Sequence, residues 1–104
     1  MKSIALLTAL LAGALVSTPA LADPEASMNK AGCMACHAKD KKLVGPSFKD
    51  IAAKYKGKDV TAQLMEKVRK GGSGAFGPVP MAPNGPDKIN DADLKAAVEY
   101  ILKS

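Results

Sequence analysis

The sequence predicts a small all-α domain of about four short helices, and three observations point there. Apolar residues recur at helical spacing in three segments, and a fourth, near Pro24 to Ala31, has an apolar side and residues suited to helix ends. No strand-like alternation and no internal repeat appears along the chain. The third observation is one short stretch, Cys33-Met34-Ala35-Cys36-His37, which holds both cysteines and the single histidine of the 104 residues.

Residues 1–22 stand outside that domain. Lys2 precedes an apolar run from Ile4 to Val16, and Ala20-Leu21-Ala22 has the small-x-small form of a cleavage site. This is the pattern of a secretory signal peptide, with cleavage expected after Ala22 and the periplasm as destination. The run is too short to span a bilayer, and Pro19 follows it. Residues 23–104 are then one domain with no membrane span, expected to be a monomer. Lys2 is the only charged residue of the leader, so a net charge of +5 becomes +4 on cleavage. A mildly basic surface suits partners with acidic docking faces, and export argues against nucleic acid.

The elements follow in order. Asp23-Pro24-Glu25 opens a helix to about Ala31, with proline and acid placed as a first turn prefers, and Gly32 closes it as a left-handed cap. Ala38 to Lys42 is polar loop. Gly45-Pro46 reads first as a turn. The Pro46 carbonyl is free to accept a bond, which also makes it a candidate partner for the ring of His37. Ser47 and Asp50 form a capping pair for a helix to about Tyr55, with Phe48, Ile51, Ala52 and Tyr55 on one face. Gly57 ends it. Asp59 is the expected cap of a helix from Val60 to Lys70, carrying Val60, Leu64, Met65 and Val68 inward and Lys67, Arg69 and Lys70 near its C-terminal dipole.

Gly71 to Pro86 has neither helical nor strand period and reads as a long, proline-stiffened loop around Met81. Asn90 and Asp93 cap the last helix, whose Leu94, Ala97, Val98 and Ile101 follow helical spacing; it is expected to pack on the first helix.

Cys-x-x-Cys-His is the signature of covalent c-type haem attachment. Two intervening residues let one tight turn present both sulfurs to the vinyl groups of one porphyrin edge. The histidine that follows then meets the iron from one face. A thioredoxin-like dithiol needs a βαβ context that is absent here. A zinc site needs about four ligands, and the chain has two Cys and one His. Cys33 and Cys36 are therefore the expected thioether sites of one haem c, with His37 as an axial ligand. Only Phe48, Tyr55, Phe76 and Tyr100 supply aromatic bulk. Ordering costs on the order of 1.5 kcal/mol per residue, so a domain this small needs a staple. A buried haem supplies it, and the apo form is expected to fold poorly.

The second axial position follows from the methionines. Met1 leaves with the leader, Met34 lies between the thioethers, and Met28 and Met65 sit in predicted helices as core. Met81 stands alone in the proline-rich loop and is the expected ligand; an open, five-coordinate iron is the alternative. Methionine sulfur favours ferrous iron and raises the potential. A closed iron suits one-electron transfer and leaves no catalytic residue to name, so the chain is read as a carrier and not an enzyme. The alternatives are a haem-based ligand-binding sensor or peroxidase-like enzyme with an open iron, and a thiol-redox or metal-binding module.

Three blocks in this order resemble the small bacterial class I cytochromes c of the c-551/c-552 type: Lys30 to His37, Leu43 to Asp50, and Gly77 to Asn84. The resemblance covers nearly all of residues 23–104. It implies the small class I cytochrome c fold around one haem, with thioethers at Cys33 and Cys36 and axial ligation by His37 and Met81. It implies that the Pro46 carbonyl holds His37 and that Asn84 bonds near the Met81 sulfur. It implies a soluble periplasmic carrier in a respiratory chain, delivering electrons to a terminal oxidase or a nitrite reductase. There are departures from the family. Phe76 stands where the family commonly has a tryptophan that bonds a haem propionate, Lys67 where an arginine often does, and Ala82 where a proline is common.

Overall fold

A computed structural model describes residues 23–104. The expected signal peptide, residues 1–22, lies outside them. The described chain forms α1 (Pro24–Ala31), a 3-10 turn (Cys33–Ala35), α2 (Phe48–Lys54), α3 (Thr61–Lys70), the strands β1 (Gly72–Gly74) and β2 (Gly77–Met81), and α4 (Asp91–Leu102).

Local chemistry explains most boundaries. Asp23 accepts the Ala26 N–H at 3.2 Å, and Gly32 closes α1 in the left-handed region at φ 86°. Ser47 accepts the Asp50 N–H at 3.0 Å and Asn90 accepts that of Asp93 at 2.8 Å, so both expected caps form. Asp59 does not cap α3. The position before Thr61 is Val60, which has no capping oxygen, and the start of α3 is held instead by burial of Val60.

The stretch from Gly72 to Met81 corrects the reading of a loop without strands. It is an antiparallel hairpin in which Gly72 pairs with Met81 and Gly74 with Gly77, with an irregularity between them. The strand signal in a sequence is side-chain alternation, and Gly-Ser-Gly has almost none to read. Pro78 and Pro80 alternate along β2 between the paired positions Gly77 and Met81. Both strands of a two-stranded sheet are edge strands, where proline is tolerated.

α4 is the hub, packing against α1, α2 and α3. The core joins Met28 of α1, Phe48 of α2, Ile89, and Leu94, Ala97 and Val98 of α4. α1 and α4 are also joined at the surface, where the Tyr100 hydroxyl donates to Glu25 and Lys39 lies 3.5 Å from the same carboxylate. No helix among the described residues is long and apolar enough to cross a membrane.

Candidate haem site

The helices do not close on one another. They surround a cavity of about 560 Å³ whose wall draws on all four, through Met28, Phe48, Ile51, Leu64, Val68 and Val98 among others. A concave, mostly apolar wall of this kind suits a large apolar group held by a few placed donors. The donors lining it are the sulfurs of Cys33 and Cys36, the His37 imidazole and the Met81 thioether. Among the described residues no cluster of three or more His, Cys, Asp or Glu forms a bare-ion site. A mostly apolar slot of this size, with two Cys, one His and one Met on its wall, fits an iron porphyrin.

The turn that carries the thiols is built locally. After the left-handed Gly32, the Cys33 carbonyl accepts the N–H groups of Cys36 at 3.2 Å and His37 at 3.0 Å. Cys33 is half-buried and Cys36 exposed, and no disulfide joins them.

The His37 ring is held on three sides. Its Nδ1 lies 2.8 Å from the Pro46 carbonyl. A carbonyl only accepts, so Nδ1 donates, which leaves Nε2 as the nitrogen a metal would take. Phe48 stacks on the ring at 5.7 Å with an interplanar angle of 23°. Gly45 presses on the ring edge, where a Cβ would come within 2.5 Å of Cε1. The Gly45 N–H in turn bonds the Cys36 carbonyl at 2.8 Å, closing the loop back on the thiol turn.

Met81 ends β2 and is half-buried. Its carbonyl lies so close to Gly71 that a Cβ there would collide with it. The Asn84 N–H bonds the Val68 carbonyl at 2.9 Å. The Asn84 side chain, expected near the Met81 sulfur, donates to the Ala82 carbonyl at 3.1 Å. Phe76 packs edge-on against Tyr55 at 6.4 Å, with the Lys54 ammonium 4.7 Å from its ring and bonded to the Ala75 carbonyl. Lys67 lines the cavity beside Gly72.

Sequence reasoning missed three residues here. Gly45 and Gly71 matter for the side chain they lack, and Arg69 appeared only as a helix-end cation. Its Nη1 donates to the carbonyls of Asn84 at 3.2 Å and Ile89 at 2.7 Å, and its Nη2 to Asp91 at 2.6 Å. One signal was available: Arg69 is the only arginine among 15 basic residues.

Fold and cavity together define a small helical protein whose core is completed by one large, flat, iron-bearing group. Comparison with known proteins agrees. A family model described as cytochrome c matches residues 22–104. The chain is 49% identical over 84 residues to cytochrome c2 of Rubrivivax gelatinosus, covering 80% of this chain and 99% of that protein. It is 40% identical over 104 residues to cytochrome c-551 of Pseudomonas aeruginosa, covering 98% of this chain and 97% of the other. The crystal structure of wild-type Nitrosomonas europaea cytochrome c552 matches with a TM-score of 0.68 at 42% identity, over 76% of this chain and 96% of that one. The chain belongs to the cytochrome c family, as a small class I electron carrier with one covalently bound haem c and its iron.

Proposed function

We propose that this chain is a soluble periplasmic monohaem electron carrier, exported by residues 1–22 and mature from Asp23. Cys33 and Cys36 form the two thioethers, and His37 and Met81 are the axial ligands. Pro46 orients His37 and Asn84 braces the Met81 loop. The protein works as a monomer, catalyses no reaction of its own, and passes electrons to a terminal oxidase or a nitrite reductase. The observation that carries this reading is the donor set: two thiols, a histidine with Nε2 free, and a methionine line one apolar cavity. The Pseudomonas relative supports the leader, since a match over 98% of this chain runs into residues 1–22.

Haem supplies a one-electron ferric/ferrous couple when bound. The chain's residues do the rest. The apolar walls exclude water, which lowers the local dielectric and favours the less charged ferrous state. His37, held by Pro46, Gly45 and Phe48, keeps one ring orientation in both oxidation states. Met81 would hold the iron from the side opposite His37, which would leave neither substrate nor oxygen a place to bind. Val44, Phe76 and Val79 are exposed and also line the cavity, giving an apolar rim where a partner's redox centre comes nearest. Lysines around it suit an acidic partner face.

Absorption spectra of both oxidation states, with and without carbon monoxide, test the proposal. The expected ferric spectrum carries the sulfur-to-iron band in the far red, the ferrous protein ignores carbon monoxide, and Met81→Ala reverses both. Ready carbon monoxide binding by the unaltered protein would favour the open-iron sensor or peroxidase-like enzyme. N-terminal sequencing of exported material is expected to begin at Asp23.

A further inference from the structure

The Arg69 side chain is only 20% exposed, and its three bonds reach residues 15, 20 and 22 positions away. It does not line the cavity, so any influence on the iron must pass through another residue. What it grips is the segment that follows Met81. The Val68 carbonyl takes the Asn84 N–H, and Arg69, the next residue, donates to the Asn84 carbonyl. One peptide unit on each side of Asn84 is thus tied to the last turn of α3. At the other end of the segment the Met81 backbone lies against Gly71. The same guanidinium reaches Ile89, which is buried, and Asp91 in the first turn of α4.

We propose that Arg69 is the positioning residue for Met81: through the carbonyls of Asn84 and the buried Ile89 it fastens the Met81–Asn84 segment to α3, and so holds the thioether against the iron and keeps small ligands out. This rests on Met81 being the ligand, as proposed above. A guanidinium satisfies two carbonyls and a carboxylate from one rigid plane, whereas an ammonium on a flexible stem does not. That is why a chain whose other basic residues are all lysine carries an arginine at this position.

The test uses ferric holoprotein well below its melting temperature and reads imidazole affinity together with the sulfur-to-iron band. Arg69→Met is expected to bind imidazole about tenfold more tightly than the unaltered protein, with a weakened band. Arg69→Lys is expected to fall between them. Asp91→Asn, which loses a partner that is 86% exposed and spares both carbonyl bonds, is expected to match the unaltered protein. A purely structural role lowers the melting temperature alone, so Arg69→Met with unchanged affinity and band overturns the proposal. If Arg69→Met yields no folded holoprotein, Arg69→Lys decides, and unchanged imidazole affinity there overturns it equally. An Asp91→Asn protein as open as Arg69→Met would overturn the part given to the carbonyl bonds. If the unaltered protein itself lacks the band and binds imidazole as Met81→Ala does, the ligation reading fails and takes this proposal with it. A normal unaltered protein with inert Arg69 variants fails the Arg69 proposal alone.

Discussion

The wall that carries His37 and the wall that carries Met81 are built by different means. His37 is held from within its own neighbourhood: Cys33, Gly45, Pro46 and Phe48 all lie within 11 positions of it along the chain. Met81 ends an exposed hairpin and is held from behind by α3, whose Val68, Arg69 and Gly71 lie 10 to 13 positions from it, and whose Arg69 reaches on to Ile89 and Asp91. The first arrangement draws mostly on one loop, with Phe48 as its link to the core. The second exists only after the helices have packed. The Met81 side is therefore the softer of the two, and it is expected to open first under heat, denaturant or competing ligands.

Both walls depend on what lies between them. Replacing Cys33 and Cys36 by serine, so that no haem is tethered, deprives the apolar walls of the group that joins them. Burying each large aliphatic is worth about 1.5–3 kcal/mol, and a domain this small has on the order of 5–15 kcal/mol in total. The variant is expected to lose cooperative unfolding by circular dichroism, erasing the difference between the walls.

Gly71→Ala attacks the Met81 wall alone. The residue sits at φ 70° and ψ −155°, and its new Cβ meets the Met81 carbonyl. A loss of about 3 kcal/mol by denaturant titration is expected, with the sulfur-to-iron band weakened while histidine ligation persists. Gly45→Ala attacks the opposite wall. Its Cβ is driven against the His37 ring, at an expected cost of about 2 kcal/mol. Here the histidine ring resonances of the paramagnetic protein should shift while the methionine band remains. Equal spectral effects from the two variants would mean that the walls are not independent.

The smallest effect lies on the outer edge of the His37 side. The Tyr100 hydroxyl, then the Lys39 ammonium, hold the Glu25 carboxyl below its ordinary value of 4.5. A depressed folded value contributes stability at pH above 4.5 that is lost as pH falls through the lowered one. The group is fully exposed, so screening keeps the effect slight. Tyr100→Phe is expected to flatten this acid limb of the melting temperature without moving either axial ligand's spectrum.

How much was legible in advance follows the same division. The Ser47 and Asn90 caps, the Gly32 terminator and the haem-attachment signature are statements about residues a few positions apart, and short range is what a linear pattern records. Asp59 misled because a capping residue one place too early cannot reach the first free N–H groups. The hairpin was invisible because glycine strands have no side chains to alternate.

From the sequence alone came the number of helices and most of their limits, the Cys-x-x-Cys-His turn proposed to receive the haem, and the need for a staple in so small a chain. Each is set by local hydrogen bonding, covalent spacing or composition. Only the tertiary structure decided that Gly45 and Gly71 must lack a side chain, and that one arginine binds the methionine loop to α3. Close approach and long-range carbonyl capture depend on where packed elements meet, and no residue carries that information until the others are in place.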